Sequence, residues 1–172
     1  MIESLALAST YDVASALRTD RRLANTLMRS GFLGPLYRSR GSELVEASHV
    51  VEFARRRPVT TIPQPTLVVR LNHALLDASM DEEKVETILS GPWELRDREV
   101  PPRVLIATIS TFVLKVRSIE RLERISSRDV RLHLGEASTR SHSAYDHRRI
   151  PGIPGFRILY LDDTATLKRL RG

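Results

Sequence analysis

Apolar residues recur first at helical spacing and then, past a run of prolines, at strand spacing. Between Tyr11 and Arg18, the residues Val13, Ala14 and Leu17 fall on one face of a helix, with Thr10 as the expected cap. Thr19 interrupts, and Asp20 predicts the cap of a second helix from Arg21 to Ser30. Leu23, Leu27 and Ala24 form its apolar side, and Gly31 is its stop. So short a break forces the two helices to pack across each other as a helix-turn-helix. Phe32 to Val45 reads as two short strands about a turn near Arg40-Gly41-Ser42, with basic residues at the tip. Ser48 then predicts a cap for a third helix, His49 to Arg56, whose Val50, Val51, Phe53 and Ala54 close a small core.

Pro58, Pro63 and Pro65 end the helical part, because proline lacks the backbone donor a helix needs. The expected division is a first domain over 1–58, an extended linker over 59–65 and a second domain over 66–172. In the second domain Thr66–Leu71 reads as a strand. Asp81 caps a helix over Glu82–Leu89 that ends at Ser90-Gly91-Pro92. Val104–Val116 is too long and too β-branched for one average strand, so it is either one bent strand or two strands around Thr108–Thr111. Val130–Leu134 alternates. Phe156–Leu161 is a final strand before an amphipathic tail capped by Asp162 or Asp163. The fold class expected is α+β: an N-terminal winged helix-turn-helix followed by a small mixed α/β domain with a barrel-like sheet.

Composition points to the partner. The 172 residues carry 27 lysines and arginines against 21 acids, a net charge of +6, and most of the basic residues are arginine. Arginine forms bidentate contacts with phosphates and guanine edges, so nucleic acid is the first partner to consider. A hydrophobic content of 41% supplies core enough for one domain or two small ones. The absence of cysteine removes disulfides, thiolate zinc sites and cysteine nucleophiles, and it fits a reducing cytoplasm. Met1-Ile2-Glu3 lacks the basic start of a secretory signal, and no apolar run approaches the ~20 residues of a membrane span. The expected setting is therefore the cytoplasm, at the nucleoid, with no membrane partner.

On the second helix the outward positions are Arg21, Arg22, Asn25, Thr26 and Arg29. These types suit a major groove: arginine for guanine, asparagine for adenine, a short hydroxyl for phosphate. The hairpin tip adds Arg38, Ser39 and Arg40, placed for the neighbouring backbone or the minor groove. Three runs then stand in order: Asp12-Val13-Ala14 with Leu17; Arg21-Arg22, Asn25, Met28 and Gly31-Phe32-Leu33-Gly34-Pro35; and Glu46-Ala47-Ser48-His49-Val50 with Phe53. Over residues 10–57 this order resembles the MerR-like and excisionase-like winged helix family. There a helix of this first type precedes the recognition helix, a glycine–leucine–proline exit leads into the wing, and a short helix follows. The resemblance implies a double-stranded-DNA-binding transcriptional regulator, a repressor, including the phage immunity type. Two departures matter. Arg18 stands where the family usually has glycine, and Pro58 closes the helical region where full MerR activators continue into a long dimerising helix. The likeness is thus nearer to excisionases and to small phage or actinobacterial repressors.

The stretch Ser138 to Arg149 reads as a polar loop. Arg140, His142, His147, Arg148 and Arg149 make it either a solvated loop or a second DNA contact that lengthens the recognised site. His142, Asp146 and His147 also raise metal or acid–base chemistry, but a metal needs three or four converging ligands and His49, His73 and His133 are scattered. There is no phosphate-binding glycine loop, nucleophile elbow or dinucleotide fingerprint. No catalytic residue, metal or cofactor is expected. The strand-rich layout of 66–172 distantly resembles a PUA-type barrel, a fold used to read nucleic acids. With no dimerising helix, the second domain supplies either a dimer contact or a second grip, and a monomer with two DNA contacts is favoured. Two other readings stay open: an excisionase-like DNA-bending factor, and an enzyme or ligand-sensing second domain carried to DNA by the first.

Overall fold

The computed structural model describes residues 6–71, 82–95, 100–150 and 157–169. The protein is mixed α+β and divides into two compact units, the first running to Arg56 and the second taking up the chain at Arg57.

The first unit contains β1 (Leu7–Ser9), α1 (Thr10–Leu17), α2 (Arg21–Arg29), β2 (Tyr37–Ser39), β3 (Ser42–Glu46) and α3 (Ala47–Ala54). Ser9, not Thr10, caps α1. Its hydroxyl accepts from Asp12 N at 3.4 Å, and the Asp12 carboxylate accepts from Ser9 N at 2.8 Å. Two otherwise unpaired backbone donors are thereby satisfied reciprocally. The hydrogen bonds from the Ser9 side chain and backbone hold the Asp12 carboxyl below its usual range. Asp20 caps α2 as the sequence indicates, accepting from Leu23 N at 2.8 Å. Val13, Leu17, Leu23, Ala24, Leu27 and Met28 are buried, as are Leu33, Val45, Val50 and Phe53 on the elements that follow. Val51, expected inside, is 44% exposed. α3 begins at Ala47, ahead of its expected start, because β3 runs directly into it; Ser48 lies within the helix and Glu46 gives no side-chain cap. β1 was not legible in the sequence. It pairs antiparallel with β3, giving a three-stranded sheet of order β1-β3-β2. Gly34 has φ +82° and faces His49, where a Cβ would come within 2.2 Å of the ring, so only glycine fits.

The second unit contains β4 (Arg57–Pro58), β5 (Thr66–Arg70), α4 (Glu82–Ser90), β6 (Trp93–Glu94), β7 (Val104–Ile109) and β8 (Phe112–Arg124). It continues with β9 (Asp129–Glu136), α5 (Thr139–Tyr145), β10 (Arg148–Arg149), β11 (Ile158–Leu161) and α6 (Thr164–Arg169). Its sheet runs β11-β5-β7-β8-β10-β4, with β9 on β8 and β6 on β9. The β5–β7 and β4–β10 pairs are parallel and the rest antiparallel. Among the described residues β11 and β4 end an open path instead of closing the expected barrel-like sheet.

The proline-rich stretch is no free linker. Val59 and Ile62 are buried in a core with Val68, Ile106, Val116, Tyr145 and Leu161. Val59 N donates to Arg149 O at 2.7 Å and Ile62 N to Thr164 Oγ1 at 3.0 Å. Proline excludes a helix but is at home on a sheet edge, which is where β4 lies. The 104–116 segment resolves into two strands, turning at Ser110 with φ 53°, and β8 continues well past Val116. Asp163 caps α6, accepting from Thr166 N at 2.7 Å, whereas the expected cap Asp81 lies outside the described residues.

Two polar clusters tie this unit together. Tyr145 is fully buried with its hydroxyl 2.8 Å from Thr66 Oγ1. The single Thr66 hydroxyl hydrogen is given to Gln64 O at 2.8 Å, so Tyr145 is the donor. Burial pushes the Tyr145 phenol up to about 12, against a smaller opposing effect of Thr66. On the other cluster, Glu86 meets Arg117 at 2.6 Å and Lys115 at 3.0 Å. Burial opposes its ionisation, but the hydrogen bonds from Arg117 and Lys115 outweigh that and hold its carboxyl below the usual range. Among the described residues no helix is long and apolar enough to cross a membrane.

Candidate nucleic-acid interface

With Leu23, Ala24, Leu27 and Met28 turned into the core, α2 presents Arg21, Arg22, Asn25, Thr26 and Arg29 on its other side. Arg22, Asn25, Thr26 and Arg29 share one stripe, because residues three, four and seven apart are neighbours on a helix. Arg21, Arg22 and Arg29 are exposed, and Asn25 and Thr26 are half-buried. The Thr26 hydroxyl donates to Arg22 O at 2.9 Å, so its hydrogen is committed to the helix and its lone pairs remain for a donor. Among the described residues the Arg22 side chain has no ion pair or hydrogen bond.

β2 and β3 form the hairpin. Ser39 is the register partner of Ser42, leaving Arg40 and Gly41 as a two-residue turn with φ of 49° and 81°. Positive φ at both central positions matches the twist of the strands, and glycine or asparagine is the usual choice. At Arg40 the left-handed backbone costs about 1–2 kcal/mol relative to glycine. Arg38, Ser39 and Arg40 are all exposed.

Tyr11, Arg21, Arg29, Arg38, Ser42 and Glu43 line one concavity of about 550 Å³. The Arg21 guanidinium stands 5.6 Å from the centre of the Tyr11 ring, which is itself 65% exposed. Arg29 Nε lies 2.7 Å from Glu43 Oε2, and Arg38 Nη2 lies 3.6 Å from Glu43 Oε1. One carboxylate on β3 therefore joins the end of α2 to the hairpin. The side chain of Glu43 is only 15% exposed, against 78% for Arg38. Sequence reasoning missed both Tyr11 and Glu43. The turn itself held a signal for Glu43, since a two-residue turn at Arg40-Gly41 places Arg38 opposite Glu43.

Residues 138–149 form a helix and a strand, α5 and β10, in place of the expected loop. The cause is the buried side of this polar segment: Tyr145 and Ser141 are both within the core. Ser138 caps α5, accepting from Ser141 N at 3.2 Å. His142 Nδ1 lies 2.7 Å from Asp146 Oδ2, Arg140 and His147 are exposed, and Arg148 and Arg149 are half-buried in β10. Arg148 is the register partner of Arg57 in the parallel β4–β10 pair, a third residue the sequence did not single out. Neither Arg57 nor Arg148 is in an ion pair among the described residues. Like charges side by side on neighbouring strands destabilise a sheet unless something anionic offsets them.

His49 lies on α3 and His142 on α5. His133 lies on β9, 2.7 Å from Glu123 Oε2 and 2.9 Å from Arg121 Nη2. The His133 hydrogen bond is the main reason the Glu123 carboxyl stays below its usual range. His73 lies outside the described residues, and among those described no three His, Asp or Glu side chains gather as a metal site.

Compared with known proteins, the chain matches no family model, no curated protein and no solved structure.

Proposed function

We propose that the first unit is a winged helix-turn-helix of the MerR-like and excisionase-like kind, and that the protein is a sequence-specific regulator of double-stranded DNA acting as a repressor. In this reading α2 enters the major groove with Arg22, Asn25, Thr26 and Arg29, and the β2–β3 hairpin is the wing, with Arg38, Ser39 and Arg40 on the adjoining backbone or minor groove. The observation that carries the reading is the shared concavity: Arg21 and Arg29 from the helix and Arg38 from the hairpin face one space beside the outward stripe of α2. A groove-reading helix beside a basic hairpin needs both to meet the same duplex.

The second unit adds a second grip in this proposal, centred on Arg148 and its neighbour Arg57, with Arg140, His142 and Arg149 near it in sequence. What supports it is the pair of like charges across β4 and β10, neither in an ion pair among the described residues. No catalytic step, metal or cofactor is assigned to the protein.

Selection of bound duplexes from a random DNA pool tests the proposal. One enriched sequence is expected. Asn25→Ala should then relax base preference at one position by roughly 1–3 kcal/mol while other positions hold. A pool that stays unenriched would overturn the reading, as would an Asn25→Ala protein that loses the same affinity for every sequence.

A further inference from the structure

We infer that Glu43 is the positioning residue of the proposed DNA interface, holding the Arg29 and Arg38 guanidiniums in one concavity so that helix and hairpin meet the same duplex at a set separation. The inference rests on the DNA-binding reading and names what gives that site its geometry.

An acid is the wrong charge for this place. Phosphates approach a surface because its cations displace their counterions, and each carboxylate among those cations opposes them. Arg29, Arg38 and Glu43 together carry +1, where the two arginines alone would carry +2. For a protein that only had to adhere to DNA, Glu43 would be a loss. What it supplies is order. An exposed ion pair holds two mobile side chains weakly and contributes about 0–1 kcal/mol. Here the arginines are exposed, at 52% and 78%, but Glu43 is 15% exposed and fixed on a strand, with one oxygen hydrogen-bonded to Arg29 and the other in a longer ion pair, 3.6 Å, with Arg38. Arg29 lies 14 residues from it in sequence and is held through Nε at 2.7 Å. Arg38 is its register partner across the hairpin. Arginine loses much rotational freedom when it is pinned by a ligand, and pinning it beforehand removes that cost only for a duplex that fits the preset geometry. The same residue thus weakens indiscriminate binding and sharpens selective binding.

The test uses the full chain with two duplexes of equal length, one carrying the sequence selected from the random pool and one a scrambled version, each titrated over a range of salt. Glu43→Gln keeps the size of the side chain and removes its charge. The scrambled duplex should then bind equally or a few-fold more tightly, with a salt slope steeper by about 0.9. Preference for the selected duplex should fall about tenfold. Glu43→Asp keeps the charge but draws the carboxylate back by one methylene. It should lose preference without gaining on the scrambled duplex, and it serves if Glu43→Gln fails to give a cooperative thermal transition. An undiminished preference in a folded variant overturns the inference, as does equal weakening on both duplexes, the mark of a merely structural role. A wild-type protein that does not distinguish the duplexes overturns the DNA-binding reading itself. That result is distinct from one in which wild type and variants discriminate alike.

Discussion

Two arginines of the first unit sit in left-handed backbone, and their contexts differ. Arg18 ends α1 with φ 52°, its N–H bonded to Ser15 O at 3.2 Å. Under the proposed reading it occupies the place where that family usually has glycine. Arg40 is at the hairpin tip with φ 49°. Each pays the side-chain clash that glycine avoids. Arg18→Gly should raise unfolding stability by about 1 kcal/mol with no change in DNA affinity, measured by urea titration and duplex binding. Arg40→Asn should also stabilise, yet weaken every duplex alike and flatten the salt dependence. Equal affinity for Arg40→Asn and wild type would remove the hairpin tip from the interface. In the second unit, Tyr145→Phe deletes one buried donor and should cost about 1 kcal/mol. The phenol also sets an alkaline limit. Its folded value of about 12 lies above the ordinary 10.0, so the stability it gives is complete below pH 10 and is lost as pH rises through about 12. Tyr145→Phe should be the flatter of the two proteins across that window.

At the scale of elements, the segment from Arg57 to Pro65 decides where the second unit begins. A fragment over 57–172 retains β4 and the buried Val59 and Ile62, whereas one over 66–172 lacks them. Removing two buried aliphatic side chains at roughly 1.5–3 kcal/mol each, together with an edge strand, should abolish cooperative unfolding in the shorter fragment only. Calorimetry of the two would check this. The same segment shows what sequence reading can reach. α1, α2, the hairpin, β5 and α4 were legible because each combines a periodic apolar pattern with local stop signals. Ser9 was overlooked as a cap although Asp12 stands three residues on, the spacing of a capping box. β1 and β4 are short strands with no pattern of their own; only partners distant in sequence make them strands. α5 was hidden by composition, since a helix anchored by one tyrosine and one serine looks polar throughout. Within the candidate site the arginines were visible as residue types. Glu43 was not, because its meaning depends on which two arginines the fold brings to it.

The whole molecule poses the question of symmetry. Under the proposed reading, one chain with two separate grips reads an unsymmetrical site, whereas a dimer reads a palindrome with half-sites about 10–10.5 base pairs apart, or a multiple of that. The selected sequence is expected to lack two-fold symmetry, and sedimentation of the complex should give one chain per duplex. A palindromic site with two chains would move the role of the second unit from gripping DNA to joining protomers. One pairing also constrains how the molecule is made. β4 lies in parallel register with β10, and roughly ninety residues of chain separate them. At 5–20 residues per second, a ribosome takes about 5–18 seconds to deliver that partner. During that interval Val59 and Ile62 have no completed core to enter, while the described strands and helices of the first unit, β1 to α3, have already left the tunnel. Vectorial synthesis thus gives the first unit a head start, and it leaves the proline-rich edge of the second as nascent chain open to chaperones until Arg148 and Arg149 arrive.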